Sequence, residues 1–456
     1  MNIADLKAKI ASSHQDALVE LCQFVAQPSL SVTGEGIPEC AVLLAKMMQD
    51  RGISSQIMET AGQPVVYGHY LVDPNAPTLL IYGHYDVQPV EPLEDWLSHP
   101  FTPTIRDGKL YARGVGDNKG QLFAHLLALQ YLTELEKAPK ANLKFLFEGE
   151  EEVGSPNLVP FVEAHKELLK ADAAYYSDGP IAESGAQTVN LGVRGILTLE
   201  LKLKGAKSDL HSGNHGGVAP MPAWEMVHLL ASLVDPETGL CTIPGFYDAV
   251  RPIGKEEQNV IEALKEDQQQ YMKNWQLNRM GVGALKRGFH QSLMLWPTFN
   301  INGLQSGYTG AGIKTIIPAE ALAKIDIRMV ADQDPEQIYS LVVDAIKKAN
   351  PNVEVRKGDS GYPAAREAVD HPFSKLVIDA TSMVLAPELP QVQLCLGGSA
   401  PNFVFTKHLG LPCVAVPIAN ADEANHAPNE NLDLECFKRG IAISAAVMKA
   451  MENYKA

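Results

Sequence analysis

The sequence predicts an α/β protein of two domains, one built on a mainly parallel sheet and the other an α+β block inserted into it. Three observations carry that expectation. At 456 residues the chain exceeds what one hydrophobic core comfortably holds. From about residue 54 to 190, and again beyond about 366, short apolar runs alternate with stretches of helical periodicity, the grammar of a sheet with several parallel strands. Between them the pattern shifts to half-buried strands and polar helices, which reads as an insertion. Segments 1–190, 191–365 and 366–456 are therefore expected as first domain, insertion and return.

The elements follow in order. Residues 1–27 place Leu6, Ile10, Leu18, Leu21 and Phe24 near helical spacing among charged side chains. This is an amphipathic helix without the unbroken apolar core of a signal peptide. A helix is expected over 37–51, then strands at 54–59, 65–71 and 78–83. A helix over 122–135, a strand at 143–147, a helix over 158–169 and a strand at 172–177 complete the first block. In the insertion we expect a strand at 193–204, a helix over 224–233 and a long polar helical region over 259–286. Strands at 299–301, 322–329 and 352–357 follow, with a helix over 335–349. The returning block has helices over 373–385 and 434–452 around a strand at 413–417. No segment repeats.

Composition removes several function classes. A net charge of −16 argues against nucleic acid or an anionic membrane surface as partner. No apolar run approaches a membrane span. The six cysteines are scattered without a Cys-x-x-Cys pair, which suggests reduced thiols in a cytoplasmic protein. Any metal here is expected on histidine and carboxylate.

The chemistry concentrates where the strand at 143–147 ends. Glu148, Glu150, Glu151 and Glu152 crowd into five residues, and Gly149 and Gly154 bracket the last three. Carboxylates packed at the edge of a buried strand repel one another and lose hydration, so a cation is the natural compensation. Taken alone, the stretch reads first as a solvated acidic loop, and the rest of the chain reverses that reading. Four further places share the pattern of acid or histidine at a strand end or glycine turn. His84-x-Asp86 offers an imidazole with a carboxylate to fix its tautomer, or a turn histidine beside a capping Asp. Arg113-Gly-Val-Gly-Asp117-Asn-Lys-Gly120 leads into a helix, yet lacks the glycine spacing of a nucleotide loop. Asp178 ends a strand in an Asp-Gly-Pro turn, and His426 lies in a loop beyond the 413–417 strand. Ligands in open α/β sheets bind at that carboxyl edge. His84, Asp117, the Glu151/Glu152 pair, Asp178 and His426 together have the stoichiometry of a two-metal hydrolase with one spare carboxylate.

These motifs, in this order and over nearly the whole chain, resemble the M20 family of metallopeptidases, in particular its carnosinase-like dipeptidase branch. The resemblance implies two divalent ions per subunit, with zinc first and manganese or cobalt as alternatives. His84, Asp117 and Asp178 would hold one ion, and Asp117, Glu152 and His426 the other. Asp117 would bridge them, Asp86 orient His84, and Glu151 act as general base on the bridging water, with Glu150 a neighbour in competing register. The 191–365 block corresponds to the family's lid and dimerisation domain. Asp209-Leu-His211-Ser-Gly213 resembles the segment whose histidine stabilises the oxyanion in the partner subunit's site of a homodimer. Arg328 resembles the arginine gripping the substrate's terminal carboxylate, with Gly398 and Ser399 offering further donors. The chain departs from the family at Leu394-Cys395-Leu396, where relatives carry an arginine before Gly-Gly-Ser. The implied activity is hydrolysis of dipeptides or short peptides with a free C-terminal carboxylate. Deacylation of N-acyl or N-succinyl amino acids is the nearest alternative, and a non-catalytic metal-binding homologue a more distant one. A dinuclear phosphoesterase would want a more basic pocket.

Overall fold

A computed structural model describes residues 2–264 and 268–455. The chain divides into two compact units. The first comprises Met1–Gly192, Glu367–Gln393 and Pro401–Ala456, and the second Val193–Arg366 with Leu394–Ala400.

An eight-stranded sheet forms the first unit. Its spatial order is Ser54–Met58, Val65–Tyr70, Asn142–Glu148, Thr78–His84, Ala173–Tyr176, Cys413–Ala415, Thr188–Asn190 and Gln391–Gln393. The four middle strands are parallel, and antiparallel pairings flank them on both sides. Leu79, Leu80, Ile81 and Tyr82 are all buried in succession, as a strand covered on both faces requires. One face packs Leu80, Tyr82, Leu146 and Tyr176 against Leu158, Phe161, Val162, Val404 and Phe405. Helix Lys119–Glu134 is buried over most of its length and packs on the final helix, Leu434–Ala450.

Register decides where the chemistry falls. His84 pairs with Glu148 across parallel strands, and Tyr82 pairs with Tyr176. The strand ends are therefore level, so the Glu-rich turn after Glu148 and Asp178 after Tyr176 emerge at the carboxyl edge that His84 closes.

The second unit is an antiparallel four-stranded sheet in the order Thr298–Ser306, Glu320–Met329, Gly195–Lys204, Glu354–Tyr362. Along Gly195–Lys204 every second side chain is buried. Leu197, Leu199, Leu201 and Leu203 meet Met226 and Leu230 of helix Pro222–Leu233 and Ile338, Val342 and Ile346 of helix Pro335–Ala349. One buried and one exposed face is the ordinary state of an antiparallel sheet.

Three expectations need correcting. The single N-terminal helix is two, Ile3–Ser12 and His14–Ala26, broken at Ser13. The long helix over 259–286 is instead a series of short ones, Lys255–Ala263, Gln268–Asn274 and Val282–Arg287. Gly281 precedes the last of these and Gly288 ends it, and residues 265–267 lie outside the described part. Residues 394–400, expected with the 366–456 segment, group with the second unit. The cause is local: Leu396 bridges Val193, the Arg194 N–H donates to Leu396 O and Gly398 O, and Arg194 Nε donates to Gly397 O at 3.0 Å.

Candidate metal centre

At the carboxyl edge of the large sheet, seven of the sequence-predicted residues converge within the first unit. His84 is the last residue of its strand and fully buried. Its Nδ1 lies 3.1 Å from Asp86 O and 3.3 Å from Asp86 Oδ1, which leaves Nε2 facing the cluster. Asp86 does a second job, accepting the backbone N–H groups of Glu151 and Glu152 at 3.2 and 3.0 Å. One buried carboxylate thus sets both the imidazole and the start of the glutamate turn.

Asp117 occupies the centre. Its Oδ1 is 3.1 Å from His84 Nε2, and its Oδ2 is 3.1 Å from His426 Nε2. Glu152 Oε2 stands 3.3 Å from the same His426 nitrogen, and Asp178 Oδ2 stands 3.8 Å from His84 Nε2. The turn that delivers Asp117 needs glycine. Gly114 has φ +83°, and a Cβ there would sit 2.5 Å from Val87 Cγ1.

Repulsion and burial dominate the electrostatics. Burial pushes Glu151 well above the usual carboxylate range, with Asp178, Glu152 and Asp117 adding to the effect against the pull of His84. Burial and Asp117 push Glu152 up to about 7 and Asp178 up to about 6. Hydrogen bonds to Asp117 and Glu152 raise His426 to about 10. Burial disfavours the charged His84, yet Asp117 and Asp86 hold it well above its ordinary value. Asp117 alone is held low: burial opposes ionisation, and the two histidines outweigh it.

A group of buried acids that must retain protons is a group that cations would relieve. Glu152 Oε1 is buried with no hydrogen-bond partner among the described residues, and His84 Nε2 faces two carboxylate oxygens, Asp117 Oδ1 at 3.1 Å and Asp178 Oδ2 at 3.8 Å. Ligand atoms of His84, Asp117 and Glu152 all lie within 4.8 Å of one another. The donor set of imidazole and carboxylate suits divalent zinc, manganese or cobalt. The residues fit such ions.

The neighbouring acids are occupied elsewhere. Glu148 accepts from Tyr82 Oη at 2.7 Å and Ser155 Oγ at 2.9 Å. Glu150 accepts from Asn157 Nδ2 at 2.8 and 3.1 Å.

The remaining candidates belong to the second unit. Arg328 Nη1 donates to Ser399 Oγ at 3.0 Å, and its Nε lies 3.2 Å from Asp326. Gly398 and Ser399 follow the Arg194-held turn described above. Cys395 is buried, and Arg194 and Arg366 lie near it. His211 is exposed on the two-residue strand Leu210–His211, with Thr315 Oγ1 at 3.4 Å from its Nε2.

The profile of peptidase family M20/M25/M40 matches residues 80–450. The chain belongs to this family. Its M20 relatives include a Beta-Ala-His dipeptidase from Rattus norvegicus, 33% identical over 406 residues, spanning 84% of this chain and 79% of that one. A Cys-Gly metallodipeptidase from Schizosaccharomyces pombe is 30% identical over 398 residues, spanning 83% and 81%. Among solved structures, an M20 metallo-carboxypeptidase from Sulfolobus solfataricus superposes with a TM-score of 0.86 at 34% identity, covering 96% of this chain and 99% of that one. Human carnosine dipeptidase 1 gives 0.78 at 27% identity, covering 100% and 99%. The chain is an M20 metallopeptidase of the dipeptidase branch, and the α/β class expected from its sequence is the one observed.

Sequence reasoning passed over several side chains that touch this centre. Gln88 Nε2 donates to Glu152 Oε2 at 2.9 Å, and Asn118 Nδ2 to Ser177 O at 2.8 Å. Glu423 is buried beside it with both carboxylate oxygens unpartnered. Glu430 grips the Asp117 turn. Of these only Glu430 carries a signal, a carboxylate four residues after His426.

Proposed function

We propose that this protein is a two-metal dipeptidase that hydrolyses the amide bond of dipeptides, or similar short peptides, with a free C-terminal carboxylate. The observation that carries the reading is Asp117, with one oxygen turned to each of two histidines. In this assignment His84, Asp117 and Asp178 hold one ion and Asp117, Glu152 and His426 the other. The pair of ions, zinc in the first place, supplies Lewis acidity for the scissile carbonyl and acidifies a water.

Glu151 is the general base. Its neighbours Glu148 and Glu150 are engaged with Tyr82, Ser155 and Asn157, which supports Glu151 as the carboxylate left to move a proton from water to the leaving amine. Asp86 keeps His84 in the tautomer that presents Nε2. Arg328, with Ser399 and the Gly398 backbone, holds the substrate's terminal carboxylate, and the Arg328–Ser399 hydrogen bond supports that pairing. His211, from the second subunit of a homodimer formed through residues 191–365, donates to the developing oxyanion. The six free cysteines are in keeping with a reducing, cytoplasmic setting.

The test is hydrolysis of dipeptide, longer-peptide and N-acyl-amino-acid panels after chelation and re-addition of zinc, manganese or cobalt. Metal-restored cleavage of dipeptides is expected. Cleavage of acylated amino acids alone would move the function to a deacylase, and inertness of the metal-loaded protein on every panel would overturn an enzymatic role.

A further inference from the structure

Glu430 follows the histidine motif by four residues, and its carboxylate is fully buried. Four donors converge on it. Oε2 accepts from Arg113 Nη1 at 2.7 Å and from the Gly114 N–H at 3.0 Å. Oε1 accepts from the Gly116 and Asp117 N–H groups, each at 2.9 Å. The pairing guanidinium is itself buried, donates its other arm to Pro89 O at 2.9 Å, and lies over the Trp96 ring.

This arrangement is costly unless every contact is made. Burying a carboxylate and a guanidinium gains little stability over apolar packing, and removing one partner strands the other charge. What the pair accomplishes is geometric. It fastens the loop carrying His426 to three backbone N–H groups of the turn that ends at Asp117. His426 and Asp117 are two of the three ligands assigned above to one ion, and their 3.1 Å approach spans the same two segments. The loop on the His426 side needs such a fastening, because Ala424, His426 and Asn429 all adopt left-handed backbone, with φ of 55°, 57° and 65°.

We infer that Glu430, clamped by Arg113, is a positioning residue that sets the Asp117–His426 spacing and so governs affinity for the ion those two residues share with Glu152. The inference rests on the two-ion reading. Glu430 touches no substrate and acts through Asp117 and His426. The His84–Asp178 ion shares Asp117 but is held in addition by Asp86 and by the level strand ends, so a loosened clamp weakens the His426 ion more than the other.

Titration of the chelated full-length protein with Co2+, followed by calorimetry and by cobalt absorption, separates the possibilities. Wild-type protein is expected to take up two equivalents. In Glu430→Gln, amide N–H would face the donors now served by a carboxylate oxygen. One equivalent should bind close to wild-type affinity and the second about 10–100-fold more weakly, as when other residues that orient metal ligands are lost. Excess metal should restore the missing turnover. Glu430→Asp, which keeps the charge but shortens the reach, provides a milder variant should the amide fail to fold, with the same selective loss expected. Two equivalents of unchanged affinity in a folded variant, or equal weakening of both without rescue by metal, would overturn the positioning role. A wild-type protein that binds fewer than two ions would instead sink the two-metal reading itself.

Discussion

Among the four glutamates that end the strand Asn142–Glu148, the proposed roles divide by which carboxylates are already engaged. Glu148 and Glu150 are satisfied by hydroxyl and amide donors, whereas Glu151 and Glu152 face the acidic cluster. Replacing Glu151 with Gln should therefore lower kcat by about 10²–10⁴-fold, the usual scale for a lost general base, while both metal equivalents remain bound. Loss of a metal equivalent along with activity would return the residue to the ligand set. The expected division between Glu151 and Glu152 came from motif spacing. The resemblance, through its Glu-Glu-x-Gly-Ser spacing, favoured Glu151 over Glu150; the residues alone do not separate them, because neighbours in a turn differ only in where the backbone points them. His211 and Arg328 were legible only through the resemblance, since one loop histidine or one strand arginine carries no signal of its own.

Individual elements place these side chains through caps and glycines. Gly114 is required twice over, by a positive φ and by the Val87 methyl. Gly114→Ala should destabilise the protein by about 2–4 kcal/mol, combining left-handed strain with overpacking. Chemical denaturation reads that loss, and an unchanged midpoint would show that the turn relaxes freely. The final helix, Leu434–Ala450, begins at Asp433, whose carboxylate accepts from the Glu435 and Cys436 N–H groups. Asp433→Ala should cost about 1 kcal/mol, the usual value of a lost N-cap, with metal affinity unchanged. The strands of the parallel core were readable because their apolar runs are continuous. Two- and three-residue strands such as Lys109–Tyr111 and Asn431–Asp433 were not, because pairing with distant partners makes them. The break at Ser13 was equally hidden, since helical spacing continues across it.

At the scale of the whole molecule, metal binding would be linked to protonation of the buried acids. Burial and Asp117 push Glu152 up to about 7 and Asp178 up to about 6, against 4.5 and 3.8 for ordinary glutamate and aspartate. Folding therefore raises both, so their contribution is fully present below the ordinary values and is lost as pH climbs towards about 7. His426, raised from 6.5 to about 10, extends the same trend upward. The Tm of chelated protein should fall as pH rises from about 4.5 to 7, and added zinc should raise Tm more at about pH 7.5 than at about pH 5. A metal-induced shift independent of pH would contradict the linkage. Assembly has its own test. Mixing inactive Glu151→Gln and His211→Ala chains should restore activity, up to one working site per heterodimer. No recovery after demonstrated subunit exchange would remove His211 from the neighbouring site.

The sequence by itself determined the class of fold and nominated the candidate site residues, because continuous apolar strands and acids at their ends are local properties of the chain. Only the tertiary structure decided which oxygen of Asp117 faces which histidine, that residues 394–400 join the second unit, and that Glu430 closes on Arg113. Those outcomes depend on strand register and on contacts between residues hundreds of positions apart. No periodicity or spacing encodes them.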